Sequence, residues 1–250
     1  MIDSKNVRDV MNQMANVDVN INDTYICNGK RVPRVTEVLS AMLHDDSFMS
    51  WSNSLGWKRI SYKAFMKDAA DKGTYSHMAV EKYLKNGSVN LSEFNIVNKD
   101  ILKAVESCLD GFKKWWEDLH RKYSKIEIVF VEETLIHPYF GGTCDCLLKV
   151  DDKYYLIDFK TSNHMSYNYG LQLSAYRFLF KELKDIDIGM CSIVMLDKKN
   201  HNYRTYDLYL DNDDHLKYIN DCENTYITLT AAYKMRLYTT DEYNKVFKIK

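Results

Sequence analysis

The stretch Gly142-Thr143-Cys144-Asp145-Cys146-Leu147-Leu148-Lys149-Val150, then Asp151-Asp152, then Lys153-Tyr154-Tyr155-Leu156-Ile157-Asp158-Phe159-Lys160-Thr161, decides how this chain is read. Apolar, β-branched and aromatic residues on both sides of a two-residue acidic turn predict an antiparallel hairpin. With the turn centred on Asp151-Asp152, cross-strand partners share its residue-number sum, which sets Asp145 directly opposite Asp158. Directly opposed residues have Cβ atoms roughly 4.5 to 5.5 Å apart, and like charges there destabilise the pair. A divalent cation relieves that repulsion, because hard carboxylate oxygens suit Mg²⁺ or Mn²⁺. Alternation puts Lys160 on the face of Asp158, and Cys144, Cys146, Leu148, Val150, Ile157 and Phe159 on the other. The expected hairpin therefore has one core face and one chemical face. Asp-x-Lys by itself is common on solvent-facing strands, so the rest of the chain has to carry the argument further.

The chain has 250 residues, 46% hydrophobic and 28% charged, which is the balance of a folded globular protein with a sizeable core. No apolar run approaches the ~20 residues of a membrane span. Met1-Ile2-Asp3-Ser4-Lys5-Asn6 lacks the apolar core of a signal peptide and is too acidic for a transit peptide, so a cytoplasmic location is expected. The six cysteines are scattered without a C-x₂-C pair, as buried thiols would be, and suggest no zinc site. A net charge of -1 weighs against a histone-like wrapping protein but not against an enzyme that gathers Lys and Arg around one groove.

Organisation follows from periodicity and punctuation. Residues 1–30 are a polar lead-in with a helix and a short strand, and a helix over 35–43 is expected to start with Thr36 as its cap and Glu37 in its first turn. Aromatic and basic residues then alternate through Trp51, Trp57, Lys58, Arg59, Tyr62, Lys63 and Phe65, a helical region that could wall a groove. Gly73 opens a helix that places His77 and Glu81 on one face and stops at Asn86-Gly87. A second, amphipathic helix runs from Asn98 to His120 through Ile101, Val105, Leu109, Phe112, Trp115 and Trp116. Strand 126–135 precedes the hairpin. A helix over 170–184 with Gln172 and Tyr176 on one face, strands at 190–196 and 204–210, and a helix over 213–237 complete the chain. The order helix, three strands, helix, strand describes a mixed α/β sheet with helices packed on it.

Four scattered elements then form one pattern: Gly73-Thr74-x-x-His77-x-x-x-Glu81, Val131-Glu132, Gly142-Thr143-x-Asp145 with Asp158-Phe159-Lys160-Thr161, and Gln172-x-x-x-Tyr176. In this order they resemble the PD-(D/E)XK nuclease superfamily, and within it the branch of RecB-type nuclease domains, phage exonucleases and the mitochondrial genome maintenance exonuclease. Val32-Pro33-Arg34-Val35-Thr36-Glu37-Val38-Leu39 also resembles that branch. The resemblance covers about residues 31 to 196, and residues beyond 200 are expected to carry none of it.

The resemblance implies a restriction-endonuclease-like αβββαβ core over 73–250 with a C-terminal hairpin and helix, preceded by a mostly helical region over 1–72. It implies a metal-dependent DNase, more an exonuclease on single strands or free ends in replication, recombination or repair than an endonuclease, with phage enzymes among its relatives and the host cytoplasm as the compartment if a phage encodes it. Asp145, Asp158, the Phe159 carbonyl and His77 would hold Mg²⁺ or Mn²⁺. Lys160 would position the attacking water or offset charge on the phosphate. Glu132 and Glu133 compete for one further acidic position on opposite strand faces, and Glu132 fits the family better. Gln172 and Tyr176 would line the site and contact DNA or hold the lysine, and Trp115, Trp116, Tyr167 and Tyr169 are candidates for stacking on bases.

Two departures qualify it. The cysteine spacings do not reproduce the iron–sulfur pattern of the CRISPR-adaptation nucleases, and the absence of a P-loop excludes a fused helicase motor from this chain. A structure-specific endonuclease of the same fold, and a catalytically idle nucleic-acid-binding or inhibitor module, are the rival readings. The retained Asp145, Asp158 and Lys160 weigh against the idle one.

Overall fold

In the computed structural model, residues 17–19, 24–43, 46–59 and 61–237 are described. The expected helix in the first residues and the side chain of Trp51 lie outside them. The chain forms, in order, β1 (Val17–Val19), β2 (Tyr25–Cys27), β3 (Lys30–Val32), α1 (Val35–Met42), α2 (Asp46–Trp57), α3 (Tyr62–Asn86), a 3₁₀ turn (Leu91–Phe94), α4 (Lys99–Lys122), β4 (Ile126–Ile136), β5 (Gly141–Val150), β6 (Lys153–Lys160), α5 (Tyr167–Lys184), β7 (Ile188–Leu196), β8 (Tyr203–Tyr209) and α6 (Asp213–Arg236).

A five-stranded sheet in the order β4-β5-β6-β7-β8 forms the centre, and β1–β3 make a separate small sheet. Within the five-stranded sheet β6 and β7 pair in parallel, joined by α5 as the crossover that a parallel pair requires. Helices cover both faces. On one, α3 and α4 bury Val80, Val105, Phe112 and Trp115 against Cys146, Leu148, Ile157 and Phe159. On the other, α1, α5 and α6 bury Val38, Leu179 and Tyr226 against Cys144, Leu147, Leu156 and Ile193. The expected division of the hairpin into a core face and a chemical face is therefore wrong: β6 is buried on both faces, as strands in parallel pairing are. Cys144 also leaves the expected face and joins the opposite core from Cys146.

Two helix starts differ from the expected ones. The cap of α1 is Arg34, not Thr36, because the Glu37 carboxylate reaches back to the Arg34 amide at 3.3 Å and is itself gripped by the Arg31 guanidinium at 2.8 Å. Helix α3 begins at Tyr62, with the Ser61 hydroxyl accepting from the Ala64 amide, and runs unbroken through Gly73. One glycine costs a helix only about 1 kcal/mol, and packing against α4 outweighs it. The helix is thus continuous across residues 72 and 73. Helix α4 does start on Asn98, whose side chain accepts from the amides of Asp100 and Ile101.

Candidate active site

The β5–β6 register follows the expected sum, from Val150↔Lys153 to Cys146↔Ile157, and there the ladder stops. Asp145 and Asp158 are the next position in that register but do not form a rung. Asp145 Oδ2 instead accepts the Phe159 amide at 2.7 Å. On its other side the β4–β5 ladder passes from Val131↔Cys146 to Glu133↔Cys144 without a Glu132–Asp145 rung. Glu132 has φ 55, a left-handed conformation that costs an L residue roughly 1–2 kcal/mol. Regular pairing is thus interrupted on both sides of Asp145, next to the carboxyl end of β6. Crevices at carboxyl ends of parallel strands are where open α/β sheets bind ligands.

Helix α3 brings His77 to this opening, its Nδ1 3.5 Å from Asp145 Oδ1. One ligand atom from each of His77, Glu132 and Asp145 lies within 4.8 Å of the others. Glu133 points elsewhere and pairs with Lys184 at 2.7 Å. Asp158 is 1% exposed; its Oδ2 faces Lys160 Nζ at 2.6 Å, and its Oδ1 has no hydrogen-bond partner. The Lys160 ammonium also lies 5.2 Å over the Tyr169 ring, a cation–π contact.

The charges shift one another strongly. Burial pushes Asp158 up to about 6, with Asp145 adding to the rise and Lys160 opposing it. Burial also pushes against ionised Asp145, but the nearby His77, Lys160 and the Phe159 amide together hold it below the usual carboxylate range. Burial lowers His77, yet Asp145 outweighs it and raises the imidazole to about 9. Glu132 is raised to about 7, mostly by burial and then by the Asp145 charge. Opposed pKa displacements gathered in one cleft make it a candidate functional site.

Helix α5 closes one side. Gln172 Nε2 donates to the Tyr176 hydroxyl at 3.1 Å. Burial, reinforced by Asp158 and Asp145, keeps that hydroxyl protonated. Gly142 makes room for the ring: a Cβ there would stand 2.6 Å from Tyr176 Cε1. Thr143 Oγ1 is within hydrogen-bond distance of Tyr25 and Thr134 hydroxyls, at 3.0 and 3.1 Å. Arg34 and Thr36 join Glu132, Thr143 and Tyr176 around a cavity of about 370 Å³. The sequence singled out the segment holding Arg34 and Thr36 but assigned these two no part in the site. Their place next to Glu132 depends on the α1 start and on Arg34 bridging to Gly141.

Phe159 contributes its backbone here, while its side chain is core, edge-on to Phe112 and Trp115. Trp115 is 5% exposed in that cluster, which corrects its expected availability for stacking on bases. Trp116 stacks on Phe112 and meets His120 edge-on. Tyr167 is exposed at the start of α5, and the Tyr169 hydroxyl donates to Ser162.

The sheet covered by helices thus carries carboxylates and a lysine at the end of a central strand. The family model of the PD-(D/E)XK nuclease superfamily matches residues 62–241, and the chain belongs to that superfamily. The match starts at the first residue of α3 and continues well past 200, so it extends beyond the expected C-terminal limit and omits the Val32–Leu39 segment.

Among solved structures, an alkaline exonuclease, LHK-Exo, from Laribacter hongkongensis is similar at 13% identity with a TM-score of 0.37, covering 88% of this chain and 95% of that one. Its complex with dAMP gives 14% and 0.38 over the same shares. A phage related exonuclease from Haemophilus somnus 129PT gives 12% and 0.35, covering 83% of this chain and 96% of that one. At such TM-scores these likenesses add no weight to the assignment, which stands on the family match. No curated protein matches the chain in sequence.

Proposed function

We propose that this chain is a Mg²⁺- or Mn²⁺-dependent DNase that hydrolyses phosphodiester bonds, acting as an exonuclease on single-stranded or free-ended DNA in replication, recombination or repair. The observation that carries the reading is the convergence of Asp145, Glu132 and His77 beside the Asp158–Lys160 pair. Two features fit a cation there. The donor set is rich in hard carboxylate oxygens, and Asp158 Oδ1 is a buried acceptor with nothing to accept from. The carboxylates suit Mg²⁺ and Mn²⁺ alike, and the single imidazole is a donor that Mn²⁺ accepts more readily than Mg²⁺.

Asp145, Asp158, His77, Glu132 and the Phe159 carbonyl would hold the ion, which supplies a Lewis acid for the phosphate and lowers the pKa of water. The protein's own groups do the rest. The Phe159 amide fixes the Asp145 carboxylate, and Asp145 in turn orients His77. Lys160, held between Asp158 and the Tyr169 ring, presents a fixed positive charge to the non-bridging phosphate oxygens. Tyr176, protonated and positioned by Gln172, offers a neutral hydroxyl at the edge of the cleft. The exonuclease assignment rests on the resemblance of the Gly142 and Asp158 segments to the exonuclease branch.

The test is cleavage of end-labelled single- and double-stranded DNA with Mg²⁺ or Mn²⁺, with free or blocked ends, by wild type, Lys160→Ala and Asp158→Asn. Expected are metal-dependent shortening from free ends and a loss of at least ~100-fold in both variants. No metal-dependent cleavage, or undiminished cleavage by the variants, sinks the nuclease reading. Equal cutting of end-blocked substrates replaces the exonuclease with an endonuclease.

A further inference from the structure

Past Lys160 the sheet carries a second concave region that the proposed chemistry does not use. Lys160 pairs with Met195 on β7, and Met195 pairs with Arg204 on β8. Three adjacent strands at ~4.8 Å spacing put Arg204 roughly 10 Å from Lys160 along one row. Beside that row a cavity of about 420 Å³ is lined by Ser162, Asn163, Lys198, Lys199, Asn202 and Arg204, among others. Its size falls in the range that encloses a ligand of small-molecule dimensions.

The β7–β8 turn that carries the lysines is built to hold its shape. The Ser107 hydroxyl on α4 donates to the Asp197 carbonyl at 2.8 Å and accepts the His201 amide at 2.9 Å. Lys114 Nζ caps the His201 carbonyl at 2.6 Å. Gly111 lets the turn lie on α4: a Cβ there would be 2.4 Å from the Asn202 oxygen. The turn's own carboxylate forms no ion pair with the lysines: Asp197 acts on Lys198 only through space, its oxygens being taken up by the amides of Lys199 and Asn200 and the Asn200 side chain. Among the described residues neither Lys198 nor Lys199 has an ion-pair or hydrogen-bond partner for its ammonium. Lys198 is nonetheless half-buried, and that burial depresses its pKa. Arg204 Nη2 donates to the Asn163 carbonyl at 3.2 Å, tying the wall of the cavity to the loop that follows Lys160.

We propose that this cavity is a subsite for one unpaired nucleotide of a single DNA strand, with the phosphate held by Lys198, Lys199 and Arg204 and the base enclosed among the amide side chains. Uncommitted cations on a rigid turn fit a phosphate, and the side-chain amides of Asn163 and Asn202 offer donors and acceptors to a base edge. A concave site of this size admits a base only once it has left the duplex stack, which makes the occupant single-stranded. The inference rests on the nuclease reading for its substrate class, and its row links the subsite to Lys160.

The test is binding without turnover. A fluorescein-labelled deoxythymidine oligonucleotide is titrated with protein in the presence of chelator, and anisotropy is read over a series of salt concentrations. Lys198→Ala/Lys199→Ala is expected to weaken binding at least fivefold and to flatten the logarithmic salt slope by about 1.4, from ~0.7 per lost single-strand contact. Lys198→Arg/Lys199→Arg should restore most of the affinity. Lys125→Ala/Lys217→Ala, with the same change in net charge elsewhere, should bind as wild type. A blunt duplex should lose less affinity than the single strand in the Lys198/Lys199 variant.

An unchanged affinity and salt slope in Lys198→Ala/Lys199→Ala overturns the subsite even if the wild type cuts DNA. Wild type that binds with this lysine dependence but never cuts DNA keeps the subsite and removes the nuclease reading. Equal losses in both double-alanine variants reduce the effect to bulk charge and overturn the subsite.

Discussion

The Phe159 amide donates a 2.7 Å hydrogen bond to Asp145 Oδ2, at the point where the β5–β6 ladder has just ended. A backbone donor from the strand between Asp158 and Lys160 thus holds a carboxylate that would otherwise swing freely, and leaves its Oδ1 facing His77. Such fixed acceptors are what a divalent cation needs, because ligand orientation is then settled before binding.

Metal binding is therefore expected to appear as stability. A ligand at about 100 times its Kd stabilises by about 2.7 kcal/mol, and each kcal/mol raises the Tm of a chain of this size by about 2–4 °C. Saturating Mn²⁺ should raise the Tm of wild type by roughly 5–10 °C, reversed by chelator, and Asp145→Asn and His77→Ala should lose most of that rise. An Asp145→Asn variant that keeps the full shift would place the ion elsewhere.

Two glycines on packed helices should respond in opposite directions. Gly73 lies inside α3, and a Cβ there would meet only Thr161 Oγ1 at an ordinary 3.6 Å. Gly73→Ala is expected to stabilise by about 1 kcal/mol through helix propensity. Gly111→Ala drives a methyl into the Asn202 carbonyl, and overpacking of this kind costs about 1–3 kcal/mol. Urea midpoints measure both, and a Gly111→Ala variant as stable as wild type would show that the β7–β8 turn is not held against α4.

The register of the hairpin, the Asn98 cap and the β7–β8 pair were legible because each depends on local chemistry or on a period of two or 3.6 residues. The start of α3 was not. Gly73 reads as punctuation, yet its small helical penalty is overridden by packing against α4, whose location no local pattern reveals. The meeting of Asp145 with Asp158 was legible as proximity but not as geometry. Whether the next rung closes depends on Glu132 taking positive φ and on the Phe159 amide turning to a side chain, and both are tertiary choices. Trp115 could be placed on the apolar stripe of α4 from spacing alone, and the stripe, not a nucleic-acid base, decides where its ring goes.

His137 supplies a pH dependence away from the candidate site. It is buried beside Tyr139 and Phe178, and its Nδ1 accepts the Tyr139 amide at 3.3 Å, which requires an unprotonated nitrogen. Burial lowers its pKa, opposed by Glu182 and aided by Lys234. The unfolded chain, with a histidine pKa near 6.5, therefore takes up a proton before the folded one does. The stabilisation is complete above about pH 6.5 and is lost as pH falls from there through the lower folded value. Wild type should lose more unfolding free energy between pH 7 and pH 5 than His137→Asn, which keeps an acceptor without the titration. Parallel pH profiles of urea midpoints would refute this.

Glu132 is expected to trade stability for activity. Its φ of 55 strains any residue with a Cβ, and its carboxylate is buried next to that of Asp145. Glu132→Ala removes the buried carboxylate but keeps the backbone strain. Glu132→Gly removes both: relief of ~1–2 kcal/mol of left-handed strain outweighs the roughly 0.5–1 kcal/mol by which glycine weakens a strand interior. The glycine variant should therefore unfold at a higher temperature than the alanine variant, and both should lose metal-dependent cleavage of DNA. If Glu132→Gly is no more stable than Glu132→Ala, the backbone at this position is not under strain; if either cleaves DNA as wild type does, the carboxylate that the strain holds beside His77 and Asp145 takes no part in the chemistry.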